Sequence, residues 1–144
     1  MYYKLFIEGD SGEKIEITDH TVIQNVEFNL YQNDKLANDR SDQLFADVTV
    51  CGVLNDKSKN ETKAISEWAR KTDKANIYKK VDITVYESPK DSEPIRDYFF
   101  KFMFCSSYYE KFLEHTDKEN SGAIGTFCLK MKQRKGEIDT IKVE

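Results

Sequence analysis

Residues 96–105 read RDYFFKFMFC, and a strand through them sets Tyr98, Phe100, Phe102 and Phe104 on one face and Phe99, Lys101, Met103 and Cys105 on the other. Side chains alternate across a strand, so a segment apolar at both parities has to be covered on both sides. A flat, half-solvated sheet does not meet that demand. The chain has to fold its sheet into a sandwich or a small closed barrel, or bury the second face of this strand under a helix or against another subunit.

The rest of the sequence supplies the strands for such a sheet. Tyr3, Leu5 and Ile7 alternate with Lys4, Phe6 and Glu8, and Gly9-Asp10-Ser11-Gly12 then turns the chain into a second run through Ile15 and Ile17. Val22, Val26, Phe28 and Leu30 lie mostly in phase along 21–31, after which 32–43 carries no apolar period and reads as a long polar loop. From Leu44 to Leu54 the even positions Ala46, Val48, Val50, Gly52 and Leu54 oppose Phe45, Asp47, Thr49, Cys51 and Val53. Val81, Ile83 and Val85 alternate with Lys80, Asp82 and Thr84, and a turn holding Pro89 and Pro94 precedes the aromatic strand. Phe127, Leu129 and Met131 share a face of 124–132, and a turn at Lys135-Gly136 leads into a last strand through Ile138, Ile141 and Val143.

Only one segment changes period. Ala64, Ile65, Trp68 and Ala69 recur at three and four residues, placing them on one side of a helix over about 59–72. Ser58 and Glu61 have the spacing of a capping box, and Arg70, Lys71 and Lys74 place cations where the helix C-terminus favours them. The expected fold is therefore mostly β, an antiparallel barrel or sandwich of about eight strands with one α-helix. At 144 residues it forms a single domain over 1–144.

Charge narrows the function. Twenty-six acidic and 22 basic residues give a net charge of −4 with no large block of either sign. Nucleic-acid binding needs a concentrated cationic surface, and the short run Lys130, Lys132, Arg134, Lys135 reads instead as a solvated strand edge. The first residues, MYYKLFIE, lack the apolar core of a signal peptide, and no run approaches the roughly twenty apolar residues of a membrane span. The expectation is a protein made in the cytoplasm, without membrane insertion, that leaves the cell only by another route. Cys51, Cys105 and Cys128 each sit in an apolar run, and an odd count reads as reduced, buried thiols rather than a disulfide framework.

Reactive chemistry finds little support. His20 and His115 lie in polar, turn-like contexts, and three widely separated cysteines have no metal-ligand spacing. No G-x-S-x-G elbow, phosphate loop or dinucleotide fingerprint occurs, and Glu110, Glu114, Asp117 and Glu119 read as a solvated surface. No enzyme, metal or other cofactor is expected.

Several stretches together carry a resemblance: ISEWA at 65–69, IYKKVDITV at 77–85, IRDYFF at 95–100, YYEKF at 108–112 and FCLKMKQRK at 127–135. In strand order and residue class this region, about 60–135, resembles the C-terminal halves of the haemolysin-coregulated (Hcp) proteins of type VI secretion and of phage tail-tube proteins and their Gram-positive relatives. That resemblance implies packed sheets flanked by one helix, assembled with copies of itself into a ring, commonly a hexamer, that stacks into the tube of a contractile injection system. Sheath or baseplate proteins and cargo effectors are then the implied partners. It also implies contacts between stacked rings through an extended loop of the N-terminal half, which points to Asn33, Asp34, Lys35, Leu36, Asn38 and Arg40. The second face of the aromatic strand adds Phe99 and Met103 as assembly residues. The alternative is a monomeric β-barrel in which Phe99 and Met103 line a site for a small apolar ligand or a partner protein.

Overall fold

A computed structural model describes residues 1–32, 44–112, 114 and 124–144. Its strands are β1 (Tyr2–Glu8), β2 (Lys14–Ile17), β3 (Ile23–Gln32), β4 (Leu44–Leu54), β5 (Lys79–Tyr86), β6 (Arg96–Phe112), β7 (Gly125–Gln133) and β8 (Lys142–Val143). Between β4 and β5 lie helix α1 (Lys59–Ala69) and a single helical turn, α2 (Lys74–Ile77). The strands make one antiparallel sheet in the order β2-β1-β5-β6-β7-β4-β3, with β8 added to β6.

This sheet rolls over on itself. β7 and β4 separate β6 from β3 in the sheet, yet Phe28 of β3 stacks on Tyr98 and Phe100 of β6 with ring centroids 5.0 and 5.7 Å apart. Among the described residues no ladder joins β2 to β3, so the roll stays open rather than closing as a barrel. Its interior holds the alternating positions expected to be apolar: Leu5, Ile7, Val48, Val50, Val81, Ile83, Phe127, Leu129 and Met131 are all buried in one cluster. Strand alternation is strict enough that burying one parity of each strand on a shared interior fixes the register of its neighbours.

Helix α1 packs on β2 and β6 and adds Thr62, Ile65 and Trp68 to the interior. The Trp68 indole Nε1 donates to the Ile77 carbonyl at 2.8 Å, which ties α1 to the turn that returns the chain to β5. The capping box does not form. Ser58 is fully buried, and its hydroxyl donates to the Val53 carbonyl at 2.7 Å and accepts from the Asn55 N–H at 3.1 Å. The hydroxyl therefore serves the turn leaving β4 instead of the free N–H groups of the helix. At the other end the chain tightens, with the Arg70 N–H bonding Glu67, so α1 stops at Ala69 and Arg70, Lys71 and Lys74 fall beyond its last turn. The last expected strand is also shorter: Ile138–Thr140 is a 3₁₀ turn and only Lys142 and Val143 pair, with Phe99 and Tyr98.

The main departure lies in β6. Val81 pairs with Phe100 but Lys79 pairs with Met103, so between these pairs one residue of β5, Lys80, faces two of β6, Lys101 and Phe102. This bulge inserts an unpaired residue and reverses the parity of the strand as far as the next bulge. Met103 consequently turns inward beside Phe100 and is fully buried, while Phe99 stays on the outer face. A second shift, between Cys105 and Ser107, occurs against β7. Twice bulged, β6 runs 17 residues, past the expected end of the aromatic strand and through Tyr108 to Phe112.

Candidate assembly surface

The outer face of the roll is built from the residues opposite in parity to the core. On the wall made by β3, β4 and β7, Asp47 is buried although it points outward. Its carboxylate accepts from Asn29 Nδ2 at 3.1 Å and lies 3.8 Å from Lys130 Nζ, so one acid links three adjacent strands. Farther along, Tyr31 stacks on Phe45 at 5.6 Å on this face, while Leu30, in phase with Phe28 on the opposite face, is 56% exposed at the open end of β3. β3 ends the sheet, and among the described residues its outer edge pairs with no strand. An unpaired edge presents a row of backbone donors and acceptors, which favours strand addition by another chain.

The expected assembly residues divide three ways. Asn33, Asp34, Lys35, Leu36, Asn38 and Arg40 lie outside the described residues. Phe99 is partly buried on the outer face, with Lys142 Nζ 6.0 Å from its ring centre. Met103 belongs to the core and does not reach that surface, because the bulge separates two residues that simple alternation puts together.

Around Phe99 the structure assembles a group that sequence pattern does not reveal. Asp82, Asp97, Lys142 and Glu144 line a cleft of about 180 Å³ with it. Burial, then the neighbouring Asp97 carboxyl and Glu144, push the Asp82 carboxyl up to about 7. One oxygen each of Asp82 and Asp97 finds no hydrogen-bond partner among the described residues. A diagonal register relation brings the two acids together, since Asp82 pairs with Phe99 and Thr84 pairs with Asp97.

A second charged group lies beside α1. Lys79 is 7% exposed, and its ammonium donates to Glu13 Oε1 at 2.6 Å across the β1–β2 turn. The hydrogen bond from Lys79 holds the Glu13 carboxyl below its ordinary range. On the far side of the sheet, the Arg134 guanidinium sits 5.5 Å from the Tyr78 ring centre and 5.7 Å from that of Phe102, a stacked cation at the surface.

The cysteines depart from the expectation of three reduced, buried thiols. Cys51 and Cys128 are directly opposite on β4 and β7 and are joined as a disulfide, both partly exposed; Cys105 alone is free. Strand runs conceal such a pair, because only the β4–β7 register places the two residues face to face. His20 packs edge-on against Tyr2 at 5.4 Å. Among the described residues no group of three or more His, Cys, Asp or Glu is placed to hold a metal ion, and no helix is long and apolar enough to cross a membrane.

No protein-family model matches this sequence, and no curated protein sequence matches it. Solved structures do match. Hcp1 from Flavobacterium johnsoniae superimposes with a TM-score of 0.58 at 15% identity, covering 99% of this chain and 94% of the other. Hcp1 from E. coli EAEC 042, a mutant form, gives 0.58 at 12% identity over 100% and 98% of the two chains. The chain has the Hcp fold. A chain of the anti-feeding prophage baseplate shares it as well, with a TM-score of 0.55 at 10% identity over 99% and 92%. The Hcp likeness thus extends beyond residues 60–135, where the sequence resemblance lies, to the N-terminal strands as well.

Proposed function

We propose that this chain is a non-enzymatic structural subunit, one domain that assembles with its own copies into a ring or tube of a phage-tail-like or type VI-like contractile injection system. The end-to-end match of its fold to Hcp1 is the observation that carries this reading. The outer edge of β3, unpaired among the described residues, and exposed Leu30 give such an assembly a surface to use. Within that reading the ring is a hexamer, Asn33, Asp34, Lys35, Leu36, Asn38 and Arg40 contribute contacts between stacked rings, and sheath, baseplate and cargo proteins are further partners. The subunit is made in the cytoplasm and released with the apparatus. The roll interior supports this over the ligand-binding alternative, since Phe100, Met103, Phe127, Leu129 and Met131 fill the space a small apolar ligand would occupy.

Sedimentation velocity over a wide concentration range tests the proposal. A discrete species several times the protomer mass, weakened by Leu30→Asp without loss of the far-UV dichroism, is the expected result. A protomer at every concentration, with wild type and variant indistinguishable, overturns it.

A further inference from the structure

We propose that Cys51 and Cys128 form a reversible redox pair on the sheet surface, a thiol-modification site at which a low-molecular-weight disulfide such as oxidised glutathione locks β4 to β7. The two residues are register partners with Cα atoms 4.2 Å apart, in the middle of a ladder that runs from Asp47↔Lys132 to Leu54↔Gly125. Pairing on both sides of the site holds the two sulfurs together whether or not they are bonded. The dithiol form therefore keeps the fold, and the bond can open and close without rearranging the strands.

Position rather than exposure separates this pair from the third cysteine, since all three are partly exposed. Cys51 and Cys128 lie outside the core cluster and are partly exposed, so a small thiol or disulfide can reach them. Cys105 instead pairs with fully buried Met131 and packs against the core from the inner side of the sheet. Its thiol faces the Ser107 carbonyl at 3.6 Å, and partial burial raises its pKa, which lowers its share of nucleophilic thiolate. Cys105 sits on the wrong side of the sheet to exchange with the pair.

The chemistry is ordinary thiol–disulfide exchange. One protein thiolate attacks a sulfur of the small disulfide and expels the first small thiolate. The second protein thiolate then attacks the protein sulfur of the mixed disulfide and expels the other. Two protein thiols are oxidised, one small disulfide is reduced to two thiols, and the protons pass from the former to the latter. The closed bond spans a sequence separation of 77 residues, enclosing α1, β5 and β6, so it constrains the unfolded chain strongly while changing the folded one little.

The full-length native protein, equilibrated in glutathione buffers of graded ratio and then alkylated, reports the state of each thiol by intact mass. The expected result is one reversible two-electron transition in which Cys51 and Cys128 gain alkylation together, Cys105 shows the same alkylation at every glutathione ratio, and the far-UV dichroism is constant. Reduction should lower the melting temperature of wild type and of Cys105→Ser by roughly 10 °C, and should leave that of the double variant Cys51→Ser/Cys128→Ser unchanged. A bond that resists reduced glutathione until the protein is denatured marks a permanent staple and overturns the proposal. So does a protein that never loses two hydrogens in oxidised buffer. If the double variant does not fold, alkylation of Cys105→Ser decides alone.

Discussion

Replacing Met103 and Phe99 separately with Ala probes the bulge in β6. Simple alternation makes these two neighbours on one surface, whereas the structure puts Met103 in the core with no exposed area and Phe99 on the outer face beside Lys142. Truncating a fully buried methionine removes its transfer free energy and leaves a void, a cost of about 3 kcal/mol within the observed range of about 2–5. Phe99 loses only the contacts of one half-covered ring, about 1 kcal/mol. The single tryptophan, Trp68, is buried at the α1–core contact and reports unfolding by fluorescence. With a urea dependence of about 2 kcal/mol per molar, Met103→Ala should shift the midpoint by roughly 1.5 M and Phe99→Ala by about 0.5 M. Both are measured at protomer concentrations below any assembly, since association adds its own stability. If Phe99→Ala costs as much as Met103→Ala, the bulge does not reverse the strand and the account of β6 fails.

Other consequences follow from the buried charges and close contacts. Asp82 keeps its proton up to about 7 in the folded chain but ionises near 3.8 when unfolded, so stability falls as pH rises through that window. Asp82→Asn should flatten this decline in pH-dependent urea titrations and raise stability at alkaline pH; an unchanged slope refutes it. Glu13 acts in the opposite sense, because its lowered folded pKa contributes stability that is present above about 4.5 and lost as pH falls below it. Glu13→Gln should shrink that acid-side loss and, by leaving the mostly buried Lys79 ammonium without its anion, cost about 1–3 kcal/mol at neutral pH. A Cβ added to Gly52 would meet the Val22 carbonyl, to which the Val53 N–H donates at 2.9 Å. Gly52→Ala should therefore lower stability by roughly 1–3 kcal/mol, read as a drop in melting temperature.

How much of this was legible in the sequence depended on whether a feature is local. The alternation at 44–54 gives β4 with its observed ends, and Ile65 and Trp68 mark the buried stripe of α1, to which the structure adds Thr62. Phe127, Leu129 and Met131 fall inside as their period requires. The bulges were not legible, because an extra residue in β6 has no composition of its own and shows only against the register of β5 and β7. The same holds for Cys51 with Cys128 and for Asp82 with Asp97, pairs made by strand order rather than by spacing. Ser58 and Glu61 had the right spacing for a cap, but the turn from β4 took the serine hydroxyl first. Among the expected assembly residues, only Phe99 and Met103 lie within the described structure, and the bulge sends them to opposite sides of the sheet.

Self-assembly is the central claim, and native mass spectrometry of the purified chain tests it most directly. The account predicts a dominant closed species at six times the 16.8 kDa protomer mass, which ring-shaped particles in electron micrographs should match. Spectra holding only the protomer at high concentration, with no ring particles, would contradict it.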